Sequence, residues 1–413
     1  MEPPSPLRPV KLGIFFSHPT QHQSVMFQAL SQRLELDVQV YYYDPGSLGR
    51  MLDKGYGNRE AWDVDLLSGT RSTVLNNWLR GPATSVFRQC NPAIASIMRR
   101  ERFDAVFVAG YISLSNWLVL AMARHTRAHV LYFSDTNILN EQRQPPNQLK
   151  RNIRQQFLDR VDTFLTIGDK NREVYIRLGY STDKMTWCPY PVDVRRFEEA
   201  RTDVQLPEKL AALRQQYEIP VGARIIAQCG KLILRKRPTD VIEAVRTLGR
   251  DDVYVLLIGS GPLETSIRSS LHEHDQVRIT GFVNQSQMPY HMLLADIGVV
   301  ASDWDPHPLV TTEFAACGKP IMVSHYCGVW GENDILRPGT NGLVYTCGHT
   351  DELAAGLREL LADNERRAQM GADSIGLART QSAEQAALAI AERLQHISTR
   401  PPAWQHASVS PFI

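Results

Sequence analysis

Short apolar runs closed by Gly, Pro or Asp alternate along most of the chain with stretches whose apolar positions recur every three to four residues. The runs at 11–17, 36–43, 103–109, 129–133 and 163–167 read as strands; a helical pattern, 23–34, follows the first, and others follow each of the last three. The alternation restarts at 224–229 and continues through 253–258, 277–280, 297–301 and 320–323. Strands alternating with helices require right-handed crossovers and parallel sheets, so two such series predict two doubly wound, Rossmann-like α/β domains facing each other across a cleft. Between about 189 and 223, Pro189, Pro191, Pro207 and Pro220 punctuate a stretch with one helical segment, 208–217, and no strand-like run; this is the expected hinge. The division is then 1–190, 191–385, and 386–413 as a final helix and tail crossing back to the first domain. Residues 374–397 read as one long helix, and 398–413 as a loose tail.

Composition narrows the class. A chain of 413 residues can bury a core in each of two domains. Its 45 basic and 44 acidic residues leave a formal charge of +1, so no excess field marks a nucleic-acid binder, and any bound anion needs a local site. Six cysteines form no C-x-x-C pair and read as reduced thiols. Residues 1–9 hold four prolines and no apolar core, unlike a secretory signal, and the apolar stretch 105–123 is interrupted by Gly110, Ser113, Ser115 and Asn116. A soluble, cytoplasmic protein is expected. Leu149, Ile153 and Phe157, four apart beside Lys150, Arg151, Arg154 and Arg160, suggest at most a peripheral membrane contact and more readily a helix packed on its own sheet.

Chemistry concentrates after the strands of the second series. Asp303-Trp304-Asp305-Pro306-His307-Pro308-Leu309-Val310 leads into a helical pattern carrying Glu313, so two carboxylates eight residues apart bracket a helix start that suits a phosphate. Gly230-Lys231-Leu-Ile-Leu-Arg235-Lys236-Arg237 puts four cations over seven residues between strand and helix, an arrangement suited to a diphosphate. Gly259-Ser260-Gly261-Pro262 follows the next strand, but Glu264 stands where a dinucleotide fingerprint needs its third glycine, against a Rossmann dehydrogenase.

Over about 188–361 the sequence resembles the nucleotide-sugar half of retaining GT-B glycosyltransferases of family four. The resemblance rests on Gly230-Lys231-Leu232 with Lys236, Gly259-Ser260-Gly261-Pro262, Gly281-Phe282-Val283, and the pair Asp305 and Glu313, in that order. It implies that Gly230, Lys231 and Lys236 hold a donor diphosphate together with the backbone of Leu309 and Val310, that Phe282 and Val283 lie by the base, that Glu313 binds the ribose hydroxyls and that Asp305 meets the transferred sugar. Three positions depart from the family pattern: Asp305 is one methylene shorter than the usual glutamate, Pro308 replaces a glycine and lacks an N–H, and Lys231 replaces an arginine. In the first half, Ser17-His18-Pro19-Thr20-Gln21-His22-Gln23 stands where relatives often carry a glycine-rich loop, and His18, Gln21 and His22 are expected to line the acceptor side. Asp135, in Ser134-Asp135-Thr136-Asn137, stands where many relatives have His-Asp; it is either an acceptor-binding residue or a turn or helix cap.

The implied activity is transfer of a hexosyl group from a nucleoside diphosphate sugar, UDP favoured, to a hydroxyl acceptor with retention, Asp305, Glu313, Lys236 and Asp135 being the catalytic candidates. Alternatives are a GT-B epimerase or phosphorylase, or a non-catalytic nucleotide-sugar binding protein. The donor is a co-substrate, so no resident cofactor is expected. Asp63-Val64-Asp65 and Asp303-Trp304-Asp305 match a two-carboxylate cation pattern that arises often by chance, and no essential metal is expected.

Overall fold

The computed structural model describes residues 8–46, 51–52, 59–60, 62–79 and 89–398, so the proline-rich start and the tail beyond lie outside it. Its first sheet contains β1 (Val10–Phe16), β2 (Leu36–Tyr42), β5 (Ser72–Val74), β6 (Ala105–Ala109), β7 (His129–Phe133), β8 (Thr163–Thr166) and β9 (Met185–Trp187), while β3 (Met51–Leu52) and β4 (Arg59–Glu60) form a separate antiparallel pair. All seven strands are parallel in the order β5-β2-β1-β6-β7-β8-β9. The second sheet runs β12-β11-β10-β13-β14-β15, from β10 (Arg224–Cys229), β11 (Val253–Ile258), β12 (Val277–Ile279), β13 (Ile297–Val300), β14 (Ile321–Ser324) and β15 (Gly342–Tyr345). This is the two-domain Rossmann-like GT-B architecture.

Period-two alternation sends successive side chains to opposite faces of each sheet. On β1, Leu12 and Ile14 join one buried cluster with Phe27, Leu30 and Phe107, and Phe15 joins the other with Tyr41, Val106 and Phe103. Both faces are therefore dry, which is why these strands read as continuous apolar runs.

Three features differ from the sequence expectation. Strands β5, β9 and β15 escape it because they are edge strands of only three or four residues, each with partly exposed positions. The stretch 194–219 is not a hinge: helices Val194–Arg201 and Leu206–Gln216 fold onto the second domain, with Val194, Phe197, Ala200 and Ile219 in the same core as Phe314. The long C-terminal helix is two, Asn364–Thr380 and Ala383–Ser398, broken where Val192 pairs with Ser382 and the Ala383 N–H donates to the Val192 carbonyl at 3.1 Å. Beyond the break, Ala386, Ala387, Ile390, Ala391 and Leu394 pack into the first domain beside Phe27 and Leu30 of helix Gln21–Ser31. The chain thus crosses between domains at two adjacent points.

Candidate active site

In each sheet the strand order reverses at the third strand, β1 between β2 and β6, and β10 between β11 and β13. Ligands of open α/β sheets bind in the crevice at such a reversal, outside the strand C-termini. The loops after β1, β7, β10 and β13 carry the residues of interest.

After β10, Gly230 adopts φ +138° and Gly259, after β11, φ +142°, both in the region that favours glycine. A Cβ on Gly259 would strike the Gly230 carbonyl and one on Gly261 would strike Leu232, whose N–H donates to the Ser260 carbonyl at 2.9 Å. The Gly-x-Gly segment therefore serves close packing of two loops, which holds Lys231 and Lys236 at the cleft. The other two cations of the four also have partners within the second domain. Arg235 donates to the Trp304 carbonyl at 2.9 Å with its guanidinium 4.8 Å from that indole, and Arg237 pairs with Asp240 at 2.6 Å.

Lys236 Nζ forms a part-buried ion pair with Asp305. The two residues expected to serve phosphate and sugar separately are joined in this structure. The Asp305 carbonyl also accepts the Gly328 N–H at 3.0 Å, tying this loop to the segment after β14.

Glu313 lies in the first turn of helix Val310–Ala316, whose N-cap is Leu309. It is buried, and its carboxylate accepts no hydrogen bond among the described residues. Burial pushes its carboxyl up to about 7, with Arg196 opposing the shift. Phe282 is half-buried in the loop after β12, whereas the Val283 side chain belongs to the second-domain core, so it can approach a base by its main chain and not its side chain.

From the first domain, Thr20 caps helix Gln21–Ser31, placing Gln21 and His22 in its first turn. His18 Nδ1 lies 3.0 Å from Ser17 Oγ, and Gln21 Nε2 lies 3.3 Å from His22 Nε2. Burial, aided by the charge of Arg196, pushes His22 down to about 3, leaving a neutral imidazole. Asp135 is not the cap: Asn137 fills that place, accepting the Asn140 N–H at 2.9 Å and donating to the Pro306 carbonyl across the cleft at 2.7 Å. Asp135 stays open to water but is walled by protein, and this desolvation, with Asp305 facing it, raises its carboxyl.

Neither two-carboxylate segment acts as a pair. Asp65 accepts N–H groups of Leu67 and Ser68 in its own turn, Asp63 faces Ser286 of the other domain, and Asp305 is taken by Lys236. The Leu149 stripe also divides. Phe157 packs edge-on against Trp117 at 5.1 Å and Arg154 pairs with Glu141, while Leu149 and Ile153 are exposed. Among the described residues no helix is long and apolar enough to cross a membrane.

Sequence reasoning missed four cleft residues. Arg196, from helix Val194–Arg201, donates to Gln285 at 2.8 Å and keeps a buried Nε without a partner among the described residues. His307 is buried, pushed down to about 4 by its burial, and stacks on Tyr190 with ring centroids 5.5 Å apart. Tyr190 in turn accepts from Gln23 at 3.1 Å. Trp62 reaches Phe282 with centroids 5.8 Å apart. The regular Asp193 cap and the Pro-His-Pro context mark Arg196 and His307 as ordered, but neither signal says what they face.

Two doubly wound sheets face each other, with Lys231, Lys236, Asp305 and Glu313 on the second side and His18, Gln21, His22 and Asp135 on the first, the layout of a two-domain protein with a cleft between its halves. Family models identify it. Residues 211–375 match glycosyl transferases group 1 and residues 29–196 match glycosyltransferase family 4, together most of the chain, and the chain belongs to this family. It is 27% identical over 313 residues to a D-inositol 3-phosphate glycosyltransferase of Xylanimonas cellulosilytica, covering 71% of this chain and 70% of that one. It is 26% identical over 235 residues to a GDP-mannose-dependent alpha-(1-6)-phosphatidylinositol monomannoside mannosyltransferase of Mycobacterium tuberculosis, covering 54% of this chain and 58% of that one. The match thus spans little more than half the length of that relative. Among solved structures, Anabaena HepE in complex with UDP superposes with a TM-score of 0.72 at 17% identity, over 94% of this chain and all of that one. A glycosyltransferase from Rickettsia africae gives 0.73 at 16%, over 95% and 100%.

Proposed function

We propose that this chain is a retaining hexosyltransferase that moves a hexosyl group from a nucleoside diphosphate sugar, with UDP as the favoured nucleotide, to a hydroxyl acceptor, and that it works in the cytoplasm without a metal. The observation that carries the reading is Glu313, a buried carboxylate to which no hydrogen bond runs among the described residues, on the helix after β13 where the second sheet reverses, the loop bearing Asp305 of the Lys236–Asp305 pair leading into it. A buried acceptor without donors is costly unless a ligand supplies them, and ribose hydroxyls would do so. Lys231 and Lys236 would stabilise charge developing on the leaving diphosphate, which is electrostatic catalysis by groups already in place. Asp305 would then turn from Lys236 to the hydroxyls of the transferred sugar. The acceptor, held by His18, Gln21, His22 and Asp135, would attack from the face the diphosphate leaves, its proton passing to the departing phosphate oxygen.

Glu313→Ala should lower kcat/KM by roughly 100-fold or more, since a charged hydrogen bond is worth about 1.5–3 kcal/mol and misplacement adds to that; activity within a few fold of wild type would refute the role. A thermal-shift screen of UDP, GDP and ADP sugars identifies the base, because a ligand of the folded state adds about 2.7 kcal/mol at 100 times its Kd. The relatives named above include a GDP-mannose-dependent enzyme, which makes the guanosine arm the informative comparison. Turnover should persist in EDTA. Loss of activity that added divalent cation restores would overturn the metal-free reading. Conversion of the donor with no acceptor present would instead favour an epimerase.

A further inference from the structure

The loop after β12 is held from two sides. Arg196 of helix Val194–Arg201 donates to Gln285 at 2.8 Å. From the first domain, the Asp63 N–H donates to Asn284 Oδ1 at 3.2 Å, and the Asp63 carboxylate accepts the Ser286 N–H at 3.2 Å and its hydroxyl at 2.5 Å. Immediately before Asp63, the half-buried Trp62 lies against Phe282, with ring centroids 5.8 Å apart and planes inclined by 49°. Asp63 and Ser286 are exposed, and hydrogen bonds shared with water contribute little to folding stability. Three bonds converging on one surface aspartate do, however, fix where the neighbouring indole stands. Phe282 and Trp62, from opposite domains, form two inclined aromatic walls at one end of the cleft.

We infer that Trp62 is a specificity-determining residue that reads the donor's nucleobase, with Asp63 as the residue that positions it. The inference rests on the donor site proposed above and extends it: the first domain contributes to the base end of that site as well as to the acceptor end. A base lying on Phe282 abuts the Trp62 ring, and the bonds of Asp63 to Asn284 and Ser286 form only when the domains are together. Base recognition and domain closure are therefore one event.

The test is calorimetric titration of the full chain with UDP, GDP, ADP and inorganic pyrophosphate, for wild type, Trp62→Ala and Trp62→Phe. A base–aromatic contact predicts that Trp62→Ala weakens the preferred nucleotide about tenfold, leaves pyrophosphate unchanged and narrows the spread among the three bases, with Trp62→Phe recovering most of the loss. Nucleotide binding that Trp62→Ala leaves within about twofold, or a loss shared equally by pyrophosphate, overturns this inference alone. A wild-type chain that binds none of the three nucleotides overturns the donor site itself, and this inference with it.

Discussion

Glu313 shows how a site residue can work against the fold that contains it. Its carboxyl rises from 4.5 to about 7 on burial. Between those values the unfolded chain has released a proton that the folded chain keeps, so the stabilisation present below pH 4.5 is lost as pH rises to about 7. At about 1.4 kcal/mol per pH unit the loss is roughly 3 kcal/mol. Asp334, raised to about 7 by burial and then by Asp169 across the domain boundary, adds a fall of the same sign. Glu313→Gln should therefore gain stability over wild type between pH 5 and pH 8, seen as a urea midpoint that declines less with pH; parallel declines would show that Glu313 does not titrate in this range. At this scale the sequence did place Lys236, Asp305 and Glu313 in loops and a helix start after the strands of the second sheet, because each stands at a fixed spacing within one loop or helix. It was silent on Arg196, His307 and Trp62, because the groups that give them meaning, Gln285, Tyr190 and Phe282, lie about 90 to 220 residues away or in the other domain. The Lys236–Asp305 pairing was hidden for the same reason.

Among elements, the helix Ala383–Ser398 is made by the second half of the chain and buried by the first. Ala387 and Ala391 are almost wholly enclosed against helix Gln21–Ser31 and the adjoining sheet face. Small residues there permit a close helix approach, and a charge would have no partner. Ala387→Asp should cost about 3 kcal/mol or more, whereas Gln385→Asp, on the exposed side, should stay within about 0.5 kcal/mol. Chemical denaturation of the two variants measures both, and equal midpoints would show that the helix docks loosely. Central strands were legible because burial on both faces removes polar alternation. Edge strands β5, β9 and β15 were not, since three or four half-exposed residues carry too little pattern. The break at 381–382 was missed because local composition favours helix on both sides of it, and the pairing with Val192 overrides that preference.

For the whole molecule, polar contacts such as Asn137 to Pro306, Asp63 to Ser286 and Asp169 to Asp334 span the cleft, Asn137 and Asp334 buried and Asp63 and Ser286 exposed, and none of these residues belongs to the apolar core of either domain. Donor binding should draw the halves together, since both must meet to exclude water from the reacting sugar. Solution scattering with and without a nucleoside diphosphate sugar should show a smaller radius of gyration in its presence; superimposable curves would sink closure. The prolines suggested a joint spread over 189–223, whereas the chain crosses between the domains at the paired segments at Val192 and Ser382. Two pins set side by side let a gate swing but stop it from screwing or sliding. If donor binding closes the halves, such a pair of crossings would confine the motion to one arc, and a single angle would decide how far the transferred sugar stands from the hydroxyl that awaits it.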